Sequence, residues 1–199
     1  MGVDKNKIIL IGGFCEVIEA LIENDYEIEG IVEPDNCSLY KYYGNDQHYL
    51  LNGNKEMPLL IAPDKPDTRM RLYNLYTKAG FIISTFIHSQ AYLSPTCLIE
   101  NGCFIQRMAH ISAGVIVKKG SRINAMVNIM HHSQIGEFTT IAPNAVILGY
   151  VKIGNNCYIG ANSTILPNLV IEDNAIIGAG SVVTKNIKKD SIVKGVPAK

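Results

Sequence analysis

Every sixth residue from Ile87 to Val183 is Ile, Leu or Val, seventeen positions in succession without an insertion. A helix would bring its apolar residues round at about 3.6-residue spacing, and a half-buried strand at every second residue. A period of six sustained over this length serves neither. It is the period of a β-helix in which each hexapeptide supplies one short strand and one turn. Four residues after each aliphatic come mostly small side chains, among them Ala91, Cys97, Cys103, Ala109, Ser121, Ser133, Ala145, Cys157 and Ser163. These sizes fit inside a narrow, closely packed coil. One position earlier, Gly102, Gly114, Gly120, Asn144, Asn156, Asn162, Asn168, Asn174 and Gly180 recur, residues that tolerate positive φ and so mark corners. Each hexapeptide then forms one face of a triangular prism, and residues eighteen apart stack above one another.

Before Ile87 this period is absent, and eight of the ten tyrosines lie at or before Tyr92. Residues 1–86 therefore read as a separate α/β unit, and residues 87–199 as the coil. Ile8 to Ile11 is a continuous apolar run, as in a buried parallel strand. Gly12-Gly13 makes a tight turn, and Glu16 to Asn24 carries Val17, Ile18, Leu21 and Ile22 at helical spacing. A second strand, Ile28 to Val32, runs into Glu33-Pro34-Asp35. Pro58 to Ala62 reads as a third strand, Asp67 to Lys78 as a helix closed by Gly80, and Phe81 to Ile83 as a last strand. A strand, a glycine turn, a helix and a strand ending in an acid is the layout of a nucleotide-binding βαβ unit. Its helix N-terminus and bare amides hold a phosphate, and its acid reaches a ribose or base. The full GxGxxG fingerprint is not there. Gly12-Gly13-Phe14-Cys15 stands in its place, and a turn needed only for packing would read the same.

Lys and Arg number 18 and Asp and Glu 18, with no basic stripe, which argues against nucleic acid as the partner. No apolar run reaches the ~18 residues of a membrane span. The start of the chain lacks a signal peptide's apolar stretch. The five cysteines are an odd number, and Cys97, Cys103 and Cys157 fall on the inward phase of the repeat. They read as buried thiols of a reducing cytoplasm, not as a disulfide framework. No Cys or His spacing suggests a metal site.

A family resemblance is carried by Ile87-His88-Ser89-Gln90-Ala91, by Asn124 to Phe138, by Gly149 to Asn162, and by the closing Gly178 to Lys185 and Gly195 to Lys199. On these stretches the chain resembles the hexapeptide-repeat sugar acetyltransferases of the sialic-acid O-acetyltransferase and UDP-N-acetylbacillosamine N-acetyltransferase type. The resemblance implies a left-handed parallel β-helix after a Rossmann-like α/β domain, a homotrimer, acetyl-CoA as donor and a nucleotide-linked amino sugar as acceptor. The left hand runs against the usual right-handed crossover and comes from the resemblance alone.

His131 matches the family's catalytic histidine. An attacking amine must lose a proton, and an imidazole with an ordinary pKa near ~6.5 can accept it at neutral pH. By the eighteen-residue register, His131 lies between Ala113 and Gly149. Both neighbours are small, leaving room for a thioester, and the Gly149 N–H is a candidate oxyanion donor. Where relatives carry an acid after this histidine, this chain has His132; His132 or Glu137 could orient the base. Thr140 stands where some relatives carry a histidine, and so does Phe14. Gly12, Gly13, Phe14, Glu33, Pro34, Asp35, Asn124 and His132 are the candidate acceptor-binding residues. Gly149, Gly160, Ala161, Gly178 and Ala179 are candidate walls of the acetyl-CoA path, with Lys185 and Lys194 for its phosphates.

The expected activity is N-acetylation of a nucleotide-linked 4-amino-deoxy sugar for surface glycan synthesis. O-acetylation of a sialic acid is the alternative that the same base allows. A metalloenzyme with three convergent histidines is disfavoured, because His110, His131 and His132 occupy three phases of the repeat. A non-catalytic scaffold would leave the Ala113, His131, Gly149 register unexplained.

Overall fold

The computed structural model describes residues 7–35 and 39–199; Cys37 lies outside them. The N-terminal unit runs β1 (Lys7–Ile11), α1 (Cys15–Ile22), β2 (Glu27–Val32), α2 (Asp46–Asn52), β3 (Leu59–Ile61) and α3 (Pro66–Lys78). Its three strands are parallel in the order β2-β1-β3. Both faces of β1 are covered, which is why its sequence is apolar throughout rather than alternating. Ile8 and Leu10 pack with Val17 and Leu21 of α1, and Ile9 and Ile11 pack with Leu72 and Tyr76 of α3.

Two elements differ from the sequence reading. Helix α2 was not expected, since its seven residues are too few to show a period; it is started by Asn45, whose side chain accepts from the His48 N–H, and anchored by buried Tyr49. Phe81 to Ile83 is not a strand but a single bridge between Ile83 and Leu59, because the chain leaves the sheet at once to begin the coil at Phe86.

The rest of the chain is a left-handed parallel β-helix. Its two-residue strands run from β4 (Phe86–Ile87) to β21 (Ile192–Val193) and stack into parallel sheets of seven, six and five strands. The register is the one that the sequence implies: Arg122 pairs Thr140 and Thr140 pairs Tyr158, each eighteen residues on. Ile105, Ile111, Val117 and their successors are fully buried, as are Ala109, Ser121, Ser133, Ala145 and Cys157 of the small row. The inward hydroxyls find partners in the next coil. Ser121 Oγ donates to the Gly136 carbonyl at 2.7 Å and Thr139 Oγ1 to that of Gly154 at 2.8 Å, so the polar atoms inside the prism are satisfied.

The corner phase has positive φ at each sixth residue from Gly102 to Gly180. It is not confined to Gly and Asn: Met108, Met126, His132, Phe138 and Tyr150 adopt the same left-handed conformation, which costs a residue with a Cβ free energy. Going round the prism, a first face carries Phe104, Arg122, Thr140 and Tyr158, and a second carries His110, Asn128 and Val146. A third carries Ile116, Gln134 and Lys152. At the top, Lys194 and Lys199 exchange two backbone hydrogen bonds of 3.1 Å, and Ala198, 1% exposed, donates to the Val182 carbonyl. Residues 194–199 thus fold over the last coil as a plug.

The N-terminal unit is fastened to the first face by two buried arginines. Arg69 of α3 donates to the carbonyls of Gly120 (2.6 Å) and Phe138 (2.8 Å) and to Thr140 Oγ1 (2.9 Å) on the coil, and to Pro63 and Asp64 on its own side. Arg122 of the coil donates to the Ala62 carbonyl at 2.6 Å, pairs with Asp64 and Glu16, and lies over the Phe104 ring. Burial, and then the charge of Arg122, lowers the Arg69 guanidinium to about 10. It remains charged at neutral pH because five acceptors surround it. Arg69→Ala would strip those acceptors of their donors at once. We expect a loss of about 3–5 kcal/mol in urea unfolding, with little recovery in Arg69→Lys, whose single ammonium cannot span both elements.

Candidate functional site

Two separate places collect the residues singled out in the sequence. The first is a cavity of 660 Å³ at the C-terminal ends of β1 and β2, lined by Gly12, Gly13, Phe14, Glu33 and Pro34 and closed by Asp64, Arg71 and Tyr158. Its position follows from the parallel sheet, whose strands end in a crevice at one edge. Gly12 has φ +96°, and a Cβ on Gly13 would lie 2.8 Å from Glu33 Oε2. The turn therefore needs both glycines, one for its backbone and one to let the carboxylate approach. Glu33 Oε1 is buried and has no hydrogen-bond partner among the described residues. An unpartnered carboxylate oxygen is costly unless a ligand donates to it. Burial, then the neighbouring Asp64 carboxylate, raises the Tyr158 phenol above its usual range and keeps it a donor. Asp35 is exposed and does not line this cavity.

The second place is the corner between the second and third faces. It is formed by Gly114, His132, Tyr150 and Asn168 at positive φ, with His131 and Gly149 just ahead of them. The His131 ring lies against Gly149, where a Cβ would sit 2.8 Å from its Cε1 and 3.0 Å from its Nε2. The Gly149 N–H donates to no acceptor among the described residues, whereas its neighbours Leu148 and Tyr150 donate to Ile165 and His131 carbonyls. His131 Nδ1 is 3.3 Å from His132 Nδ1, and the His132 ring stacks on Tyr150 at 5.0 Å, tilted by 10°. An exposed imidazole beside a free backbone donor can take a proton and support a developing oxyanion.

This corner is opposite the first face, so one chain does not bring His131 to its own cavity. Asn124 lies with the cavity side, accepting from Arg122 at 2.9 Å and donating to Asp64 at 3.5 Å. Gly160 and Ala161 fall two hexapeptides on from Gly149, and Gly178 and Ala179 one further coil on, all at the corner between the first and second faces. Within one chain they therefore stand on a different corner from His131. Gly160 is needed there for coil packing, since a Cβ would meet the Ala179 nitrogen at 2.5 Å. Lys194 lies over Gly178, and Lys185 is exposed. Glu137 is at the third corner, paired with Lys119 at 3.2 Å, and does not orient His131. Thr140 is fully buried and serves the Arg69 lock. His110 stacks on Tyr92 at 4.8 Å and is structural.

Among residues that sequence reasoning missed, Tyr150 was within reach, being eighteen after His132. Arg71, Asp64 and Tyr158 of the cavity carried no signal. No group of three or more His, Cys, Asp or Glu among the described residues is placed to hold a metal, and no helix there is long and apolar enough to cross a membrane. Burial raises the Cys103 thiol to about 12 and that of Cys157 to about 11, so neither is a thiolate nucleophile. With Ellman's reagent at pH 8, both should stay unreactive in the native protein and titrate only on unfolding.

The family described as bacterial transferase hexapeptide (six repeats) matches residues 150–185. No curated protein matches this sequence. Among solved structures, PerB of Caulobacter crescentus, in complex with CoA and GDP-perosamine, is 25% identical, covering 97% of this chain and 96% of its own with a TM-score of 0.92. A variant of perosamine N-acetyltransferase from the same organism, with the same two ligands, is 23% identical at a TM-score of 0.91, covering 97% of this chain and 95% of its own. The acetyltransferase domain of PglB from Neisseria gonorrhoeae is 24% identical at a TM-score of 0.89, covering 98% of both chains. These last two likenesses speak for the fold. The family match and the first likeness agree with the resemblance read from the sequence: the chain is an acyltransferase that carries the bacterial transferase hexapeptide over residues 150–185 and is similar to PerB along 97% of its length. Gly149→Ala, whose methyl must push the His131 ring aside, should lower kcat on the order of 100-fold while circular dichroism and the melting temperature stay close to the parent's.

Proposed function

We propose that this protein transfers the acetyl group of acetyl-CoA to the amino group of a nucleotide-linked 4-amino-deoxy sugar, with His131 as general base. The observation that carries the reading is the His131 ring lying on Gly149, in a chain similar along 97% of its length to an enzyme that carries CoA and GDP-perosamine. The neutral amine attacks the thioester carbonyl and passes its proton to His131 Nε2. The Gly149 N–H supports the tetrahedral oxyanion. Collapse expels the CoA sulfur, which leaves with the proton held by His131, and the amide remains.

The N-terminal cavity takes the nucleotide. The Gly12 N–H is taken by the Val32 carbonyl at 2.8 Å, so the amides of Gly13 and Phe14 face the phosphates, and the unpartnered oxygen of Glu33 accepts from the ribose or base. The stacked small residues Gly160, Ala161, Gly178 and Ala179 take the pantetheine arm, with Lys185 and Lys194 near its phosphates. Because the cavity stands on the first face and His131 on the opposite corner, the reaction needs the cavity-side corner of one copy to meet the His131 corner of another. A homotrimer of prisms closes such heterologous contacts into a ring. Nucleotide sugars are soluble precursors, so the product enters surface glycan assembly from the cytoplasm.

Thiol release from acetyl-CoA, measured with GDP-, UDP- and dTDP-linked 4-amino sugars and with free sialic acid, tests the reading. Turnover is expected with one of the amino sugars and not with sialic acid; turnover of sialic acid alone would make it an O-acetyltransferase. His131→Ala should lower kcat by about 10²- to 10⁴-fold in a protein of unchanged sedimentation.

A further inference from the structure

We propose that His132 is the positioning residue of the site: its Nδ1 accepts the Nδ1–H of His131, which fixes His131 in the tautomer whose Nε2 lone pair lies over Gly149. This rests on His131 being the base. The two Nδ1 atoms are 3.3 Å apart, and such a contact needs one hydrogen and one lone pair. With His131 as donor, its Nε2 is left as a proton acceptor at the place where the reaction needs one. With the direction reversed, His131 would present Nε2–H there and could not act as base. As His131 takes the proton during the reaction, the same bond persists, now donated by an imidazolium and therefore stronger.

The corner holds His132 for this task. Its ring stacks at 5.0 Å on Tyr150 above, and below it Gly114 leaves the space in which a Cβ would sit 3.0 Å from His132 Cδ2. Its backbone is fixed by donation to the Ala113 carbonyl at 2.9 Å. His132 and Tyr150 both stand at φ near +60°, where Gly or Asn would be less strained. An imidazole acceptor here does the work that the candidate Glu137 cannot do from the third corner.

Positive φ supplies the test, because both Gly and Asn fit the backbone at residue 132. The Oδ1 of Asn occupies the place of the imidazole Nδ1 and can accept the same hydrogen bond; Gly cannot. His132→Gly should fold, keep both KM values within about twofold and lose kcat by about 10- to 100-fold, the usual cost of removing a partner that orients an imidazole. His132→Asn should regain most of that loss. Imidazole ¹⁵N spectra of the resting protein, assigned through His131→Ala, should show His131 as the Nδ1–H tautomer in the parent and in His132→Asn, and not in His132→Gly. Full kcat in His132→Gly, or an Nε2–H tautomer for His131 in the parent, would overturn the proposal. If His131→Ala were itself fully active, the base assignment would fall, while the spectra, which need no turnover, would still report on the bond between the two rings.

Discussion

The hexapeptide phase is the constraint from which the remaining geometry follows. From Gly102 on, each sixth aliphatic is inside the prism, each corner residue three positions before it has positive φ, and each outward residue of a strand is assigned to one of three faces. A side chain's address is thus its number modulo eighteen. Burial of the aliphatic column stabilises the coil, while the parallel ladder satisfies its backbone. Because the register admits no slip, a ring such as that of His131 meets the same backbone atom, that of Gly149, in every folded molecule. Positional precision here is inherited from a packing rule.

The second organising feature is polar. Arg69 and Arg122 cross between the two parts of the molecule, and each arginine ends on backbone carbonyls of the other part. An apolar joint could slide. Fork-shaped donors aimed at fixed carbonyls set an angle as well as a distance. The lock sits beside Asp64 and Tyr158, which close the cavity, so the same bonds that join the parts also shape the pocket's floor.

The coil was legible in the sequence because its signal is a repeat, and repetition tells against chance. The pairing of His131 with Gly149 was legible for the same reason. Face assignments were legible too: the eighteen-residue rule alone puts Gly160 and Gly178 on another corner from His131. The docking of the N-terminal unit was not legible. It depends on contacts between Arg69 and residues 51 to 71 positions away, and the outward side chains of the first face follow no period. Helix α2 was hidden by its shortness. His132 was visible as a departure from the pattern of the family that the chain resembles, but the role proposed for it needed the ring stack on Tyr150 and the distance to His131.

The plug made by Ala198 and the paired Lys194 and Lys199 gives the molecule a property that its repeat alone would not. A parallel coil with an open top is an edge, able to recruit any strand of matching register. Each coil resembles the next, so nothing inside the repeat says where it should stop. Residues 194–199 cover that edge on the last coil, and so set the uppermost level of the prism at which a ligand can be held.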